Sequence, residues 1–359
     1  MAFGELKNVT IKGISCCLPD NKVLNTDYYE RFGKDLVDKA IKMIGINTRY
    51  VAIKEQCASD LAYTAAERLI EKLNWDKDTI KGLIFITQSP DYRKPSTACI
   101  LQYRLQLSEY CAAFDVNLGC SAFIYGTFFG SLMMSNNDIN RMLVLTGDAG
   151  SIYVSPEDHS SIFLHGSAGS AIALEYDPEV NSSIKYSLKT DGSRFKSLYT
   201  PAGASRNAYT AKKELYLHDD GIMRSDYHHF MNGLDIFQFS ITKVPKTIKE
   251  FLKYYQLDND MFDYLVLHQP NKFTVEKVAK KIEFPLEKTL INVEKYGNCS
   301  GSSIPLLIVD KIKNEAENGR IRLLTSGFGV GLSWGVMDLT LEHITIPDIT
   351  YSNEYYTEG

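Results

Sequence analysis

The sequence predicts an α/β fold built from two related halves, and three observations carry that reading. Short, β-rich apolar runs alternate with helical stretches, the pattern of largely parallel sheets covered by helices. The stretch from Phe123 to Met134 is apolar on nearly every face, so it reads as a buried central helix rather than an amphipathic surface one. The second half also echoes the first. Ile86-Thr87-Gln88-Ser89-Pro90 returns as Leu267-His268-Gln269-Pro270, Gly119-Cys120-Ser121 as Asn298-Cys299-Ser300, and Arg141 to Thr146 as Arg320 to Thr325. These echoes are offset by 181, 179 and 179 positions. Three matches in order at nearly one spacing indicate a duplicated unit of about half the chain.

Taken in order, Val9 to Ser15 alternates weakly and reads as a first strand. Thr26 to Met43 reads as helix, ending before Gly45. Ser59-Asp60 offers an N-cap to a helix carrying Leu61, Ala62, Ala65, Ala66, Leu69 and Leu73. Gly82 to Thr87 and Arg141 to Thr146 are short apolar runs of the buried-strand type. Asp115 to Leu118 reads as a strand that turns at Gly119 into the central helix. Asp177-Pro178-Glu179 and Asn181-Ser182-Ser183 break the pattern, so the halves are expected at 1–180 and 181–345, with a tail at 346–359. Ser193 to Tyr209 reads as a long loop. Tyr264 to Leu267 is a strand ending at His268, and Tyr296 to Ser303 is a small-residue turn before a helix from Ile304 to Ile312. Gly327 to Gly331 reads as a glycine loop after a strand. The tail from Thr345 is aromatic and acidic, and is expected to pack on a partner subunit or to fray.

Composition bounds the function. The chain has 359 residues, 44% hydrophobic and 23% charged, an ordinary globular balance long enough for two cores. A net charge of −5 carries no nucleic-acid footprint. No signal-peptide core opens the chain, and its most apolar run is too short to span a bilayer, so no membrane association is expected. Seven cysteines without a C-x-x-C pair make neither a disulfide framework nor a zinc site; a reduced, cytoplasmic setting is expected, with no metal.

Chemistry concentrates where the repeat differs between halves. Cys120 sits at a strand-to-helix turn, where unpaired N–H groups and the helix dipole would favour a thiolate. His268 stands at the carboxyl edge of a sheet, where α/β proteins build sites. Asn298 offers an uncharged donor, and the glycines at 327–331 can aim a backbone N–H at an oxyanion. If the halves pack about a pseudo-twofold axis, Cys120, His268 and Asn298 share one pocket. Read singly, each has a structural alternative: a core cysteine, a strand-end histidine, a turn-forming asparagine. Cys299 is the rival thiol, and its place beside Asn298 in the repeat favours packing. His228-His229 reads as a surface pair.

The chain resembles a ketoacyl-acyl-carrier-protein synthase III. The matching pieces are Gly45-Ile46-Asn47-Thr48-Arg49, Ser59 to Ala62, the Cys120 stretch, Met231 to Phe237, His268-Gln269-Pro270-Asn271, Tyr296-Gly297-Asn298 and Gly327 to Gly335. They run in family order from about residue 9 to 340. The resemblance implies a thiolase-like fold in a layered αβαβα arrangement, and an acyltransferase with no bound cofactor that uses acyl-CoA or acyl-carrier-protein thioesters as substrates. It implies that Cys120 takes the acyl group, that His268 and Asn298 handle a malonyl thioester, and that the N–H groups of Cys120 and Val330 form the oxyanion hole. It implies acyl carrier protein as partner, and a homodimer with Ser89 to Leu107 at the interface. Residues 326–335 lack the second catalytic cysteine that a thiolase would use. The chain departs from the family pattern in having no Trp at 26–44, Ser167 at an Asp position and Phe273 at an often basic one. Acyl transfer from Cys120 to an amine or hydroxyl without decarboxylation, in a specialised acyl or polysaccharide pathway, stays open. A Cys–His–Asn hydrolase of the papain type and a non-catalytic scaffold are the readings from other classes.

Overall fold

A computed structural model describes residues 2–135 and 139–358. The principal strands are β1 (Ala2–Lys7), β2 (Val9–Leu18), β3 (Ile80–Ile86), β4 (Ala112–Val116), β5 (Arg141–Asp148) and β6 (Ala168–Tyr176). They continue with β7 (Ser183–Thr190), β8 (Tyr264–Leu267), β9 (Arg320–Gly329), β10 (Ser333–Glu342) and β11 (Thr350–Tyr351). The principal helices are α1 (Lys34–Ile44), α2 (Ala58–Leu73), α3 (Thr97–Arg104), α4 (Ala122–Met134), α5 (Gly233–Tyr255), α6 (Lys272–Lys281) and α7 (Ser303–Asn318).

Two mixed sheets face each other. One runs β11-β2-β6-β5-β3-β4 and the other β1-β7-β10-β9-β8. The inner order of the first, β2-β6-β5-β3, repeats in the second as β7-β10-β9-β8. In both, the first two pairings are antiparallel and the last is parallel. Helices α4 and α7 contact both sheets and fill the layer between them. Helices α2 and α3 cover the outer face of the first sheet, and α5 and α6 that of the second. The result is the five-layer αβαβα arrangement, with its largest core between the sheets. β3 and β5 are continuously apolar because each is covered on both faces.

Several elements differ from the sequence reading. The helix expected from Thr26 to Met43 is broken at Gly33, whose φ of +81° suits glycine, so only α1 is a full helix. The N-cap of α2 is Cys57 rather than Ser59 or Asp60; Asp60 instead reaches back, its Oδ2 accepting from Cys57 N at 2.8 Å. Gly327 to Gly329 are not loop but the end of β9, paired with Gly335 to Ser333. Only Val330 to Leu332 make the turn. Part of the stretch read as loop at 193–209 pairs in register, Leu198–Tyr199 with Phe230–Met231.

The linear division at residue 180 is crossed at both ends. β1 belongs to the second sheet, beside β7, and β11 extends the first, parallel to β2. The start of the tail therefore pairs within the chain. Gln56 Nε2 donates to the carbonyls of Ser352 and Glu354 at 2.9 and 3.0 Å, and Tyr356 N donates to Asp60 Oδ1 at 3.0 Å. Among the described residues no helix is long and apolar enough to cross a membrane.

Candidate active site

The turn after β4 delivers Cys120 to the start of α4, where Ala122 N bonds back to Gly119 O at 2.7 Å. Gly119 packs closely here: a Cβ would fall 2.1 Å from Gln88 Oε1 and 3.0 Å from Ser300 Oγ. Across the pseudo-dyad, the end of β9 lies flat against the cysteine. A Cβ on Gly329 would come within 2.6 Å of Cys120 Cβ and 2.8 Å of Sγ. The backbone N–H of Val330 reaches the sulfur, as does that of Cys120 itself, and both favour the thiolate. The two halves are pinned here by a buried contact of 2.8 Å between the Ser121 and Ser333 hydroxyls.

The resting charge differs from the sequence expectation. Burial pushes the Cys120 thiol up to about 11, Asp148 adds to the shift, and the Ser300 hydroxyl with the two N–H groups pulls the other way. The cysteine precedes α4, which begins at Ala122, and burial is the largest influence on its thiol. Asp148, at the end of β5, is buried. Its Oδ1 accepts from Gln88 N at 2.7 Å and from the Thr87 and Ser89 hydroxyls at 3.2 and 3.4 Å. Its Oδ2 has no hydrogen-bond partner among the described residues.

His268 follows β8 and is 1% exposed. Its Nδ1 meets Ser303 Oγ at 2.7 Å, and its ring stands edge-on to Phe328. Burial pulls the imidazole down to about 3, so it is neutral at ordinary pH. Asn298 sits in the turn before α7. Its Oδ1 accepts from Ser300 N at 2.9 Å, which leaves the side-chain NH₂ without a protein acceptor among the described residues. Ser300 adopts φ +47°, a left-handed kink that bends this turn back on Cys120. One turn thus joins three predicted residues: Asn298 directly, Cys120 through Ser300, and His268 through Ser303.

The remaining predicted positions resolve simply. Cys299 is fully buried, its thiol on the Tyr296 carbonyl at 3.5 Å, and burial raises it to about 12. Ser167 accepts from Ala52 N at 3.2 Å and so fastens the Tyr50–Ala52 segment. Phe273 is exposed and stacks on Phe237, with Lys277 over its ring. Among the described residues no group of three or more His, Cys, Asp or Glu is placed to hold a metal.

Sequence reasoning missed Asp148, Ser300, Ser303, His165 and His229. Asp148 had a signal, a charge closing an apolar strand. His229 is a correction: it is not a surface residue but 9% exposed, with its ring 4.9 Å from that of His165. Residue 165 in turn pairs with Asn298 through the backbone, Gly166 N bonding to Asn298 O at 3.1 Å and Asn298 N to Leu164 O at 2.8 Å.

The chain matches the family model of 3-oxoacyl-[acyl-carrier-protein] synthase III over residues 114–192, and that of its C-terminal region over residues 252–341. It is 31% identical over 348 residues to a putative 3-oxoacyl-[acyl-carrier-protein] synthase 3 of Campylobacter jejuni, covering 94% of this chain and 96% of that one. It is 32% identical to a beta-ketoacyl-[acyl-carrier-protein] synthase III of Rhodopirellula baltica, covering 93% and 98%. A crystal structure of a 3-oxoacyl-(acyl-carrier protein) synthase from Burkholderia xenovorans superposes with a TM-score of 0.91 at 33% identity, over 98% of this chain and 99% of that one.

Proposed function

The chain belongs to the 3-oxoacyl-[acyl-carrier-protein] synthase III family, whose members are condensing acyltransferases, and on that premise we propose a decarboxylative condensation with Cys120 as nucleophile. The Cys120 sulfur attacks the carbonyl of an acyl thioester, on coenzyme A or acyl carrier protein. The oxyanion takes the N–H groups of Cys120 and Val330, the carrier leaves as its thiol, and the cysteine's proton ends on that thiol. A malonyl thioester on acyl carrier protein then enters. Its thioester oxygen accepts hydrogen bonds from the Asn298 NH₂ and from His268. Loss of CO₂ leaves an enolate whose carbon attacks the acyl-cysteine, releasing a 3-oxoacyl thioester and the Cys120 thiolate, which takes up a proton from water to restore the resting thiol.

The observation that carries this reading is the turn from Asn298 to Ser303. Its Ser300 N fixes the Asn298 amide through Oδ1, and its Ser303 hydroxyl meets His268 Nδ1, so in this reading the Asn298 NH₂ and the other ring nitrogen are the donors to substrate. A neutral His268 suits this role, because it donates without protonating the enolate. Donors of this kind are each worth about 10²–10³ in rate. Asn298→Ala is therefore expected to load Cys120 with primer normally, yet to release CO₂ from labelled malonyl-carrier protein about 10²–10³-fold more slowly. Normal CO₂ release by the variant would remove Asn298 from the donor role. A wild type that loads primer, releases no CO₂ and passes the acyl group to an amine or hydroxyl would replace condensation by simple transfer.

A further inference from the structure

Asp148 is a buried carboxylate that has no step in the condensation above. It closes β5 and is 3% exposed. Its Oδ1 is held by Gln88 N and by the Thr87 and Ser89 hydroxyls, all from the segment that follows β3. Its Oδ2 is buried and takes no hydrogen bond among the described residues, an arrangement that buried carboxylates seldom show. The carboxylate lies near enough to Cys120 for its charge to raise the thiol, and the Ser300 hydroxyl meets both groups, favouring the ionised form of each. Ser300 is turned into this place by its φ of +47°, and its Oγ would lie 3.0 Å from a Cβ on Gly119, the residue before the cysteine.

A hydroxyl has one proton to give and two lone pairs that receive. Accepting from the Cys120 S–H while donating to Asp148 uses both functions and makes a path for a proton. Charge sets its direction. Were the thiol to lose its proton to water, thiolate and carboxylate would stand as two anions in one dry site, which burial and like charge both oppose. Passing the proton to Asp148 keeps a single negative charge throughout. His268 is the poorer acceptor, because protonating a buried imidazole creates a charge and protonating a buried carboxylate removes one. Burial accordingly pulls His268 down to about 3 and pushes Asp148 up. The Tyr153 phenol also faces Asp148; burial and the Asp148 charge push it up, so it stays neutral. We propose that Asp148 is the proton acceptor for Cys120 during acyl loading, reached through the Ser300 hydroxyl. As the sulfur attacks the thioester carbon, the S–H proton moves to Ser300 Oγ and the Ser300 proton to Asp148, leaving a neutral acid. When the tetrahedral adduct collapses, the C–S bond to the carrier breaks, and the carrier thiolate takes the proton from Asp148 along the same hydroxyl. Asp148 ends ionised and no net proton is consumed. This rests on the acyl-Cys120 reading above.

The test compares two reactions of one sulfur at pH 8, both read by intact-protein mass. One is loading from acetyl, butyryl and octanoyl thioesters of coenzyme A and of acyl carrier protein, followed with whichever loads wild type fastest. The other is alkylation by iodoacetamide. Iodide leaves without a proton, so alkylation reads the thiolate population, whereas the carrier thiol needs a proton returned. Asp148→Asn keeps the Oδ1 acceptor and removes the charge. Its Cys120 thiol should fall, and alkylation should rise about tenfold for each unit of that fall. Loading should lose the proton path, and a positioned acceptor of this kind contributes about 10²–10⁴-fold. The ratio of loading to alkylation is therefore expected to drop at least about tenfold. A purely structural Asp148 would slow both reactions and a purely electrostatic one would speed both; either way the ratio holds, and a ratio that holds overturns the inference. Ser300→Ala keeps the backbone N–H on Asn298 and gives an independent reading should Asp148→Asn fold poorly. It should slow loading by a similar factor, and the double variant should be no slower than the slower single one, since one path is cut twice. Loading at the wild-type rate by Ser300→Ala, or additive losses in the double variant, overturns the inference alone. No adduct on wild-type Cys120 from any thioester overturns the inference and the acyl-cysteine reading together.

Discussion

At the scale of single residues, the proposed nucleophile is a cysteine whose surroundings oppose its reactive form. Desolvation and Asp148 raise the thiol to about 11, and the N–H groups of Cys120 and Val330 recover only part of that. Below its pKa the thiolate fraction rises about tenfold per pH unit. Alkylation of Cys120 by iodoacetamide, followed by peptide mass, is thus expected to climb about tenfold per unit from pH 7 to 9. A plateau beginning near neutrality would show that the helix start wins over desolvation after all. Cys299, buried under Tyr296, should remain unmodified throughout. Cys299→Ala should leave acyl loading intact where Cys120→Ala abolishes it, as the adduct mass would show.

At the scale of elements, the candidate site lies where an end of one half meets a turn of the other. The end of β9 reaches Cys120 only because residue 329 has no side chain. In Gly329→Ala the new methyl would overlap the sulfur, 2.8 Å away, and push it off line. Displacements of this order cost about 10²-fold in rate, so acyl loading should fall by about that factor while the circular dichroism spectrum is kept. The tail makes a second joint. Arg104 Nη1 meets Asp60 Oδ1 at 2.9 Å, and its guanidinium lies between the rings of Tyr63 and Tyr356, 4.4 and 4.6 Å from their centroids. Removing one partner of a buried pair strands the other. Arg104→Ala should lower the free energy of urea unfolding by about 3 kcal/mol. A loss below about 1 kcal/mol would make the pair no better than a surface one.

At the scale of the molecule, the first sheet ends at β4, which among the described residues pairs only with β3. Nearby, Tyr103 and Tyr110 are 73% and 86% exposed. An edge strand with open N–H and C=O groups invites pairing, and aromatic residues are enriched at interfaces. We predict a dimer that joins the two first sheets through β4, with α3 alongside. Sedimentation across micromolar concentrations should give twice the chain mass, and a charged substitution such as Tyr103→Glu should shift it toward monomer. A monomer throughout would leave β4 as an edge guarded by other means.

Much of this molecule was decided locally and is readable in the chain. The apolar runs of β3 and β5, the featureless apolar face of α4 and the echo at 179–181 positions specify two like α/β units around a buried helix. The order Cys120, His268, Asn298 follows from that echo, because duplication brings the ends of equivalent strands and helices to one axis. Other features depended on contacts far apart in sequence. Nothing local told that β1 and β11 would cross to the opposite sheets, since any short strand pairs wherever an edge is open. Gly327 to Gly329 read as a loop because glycine signals flexibility, yet here it serves close approach to a cysteine 209 residues earlier. His229 read as surface because polarity is the only local cue to exposure, and only the packed chain lays it on His165. The charge of Cys120 was the least legible feature of all. A thiol's ionisation is set by solvent exclusion and by a carboxylate on another strand, and both arise only when the two halves close over it.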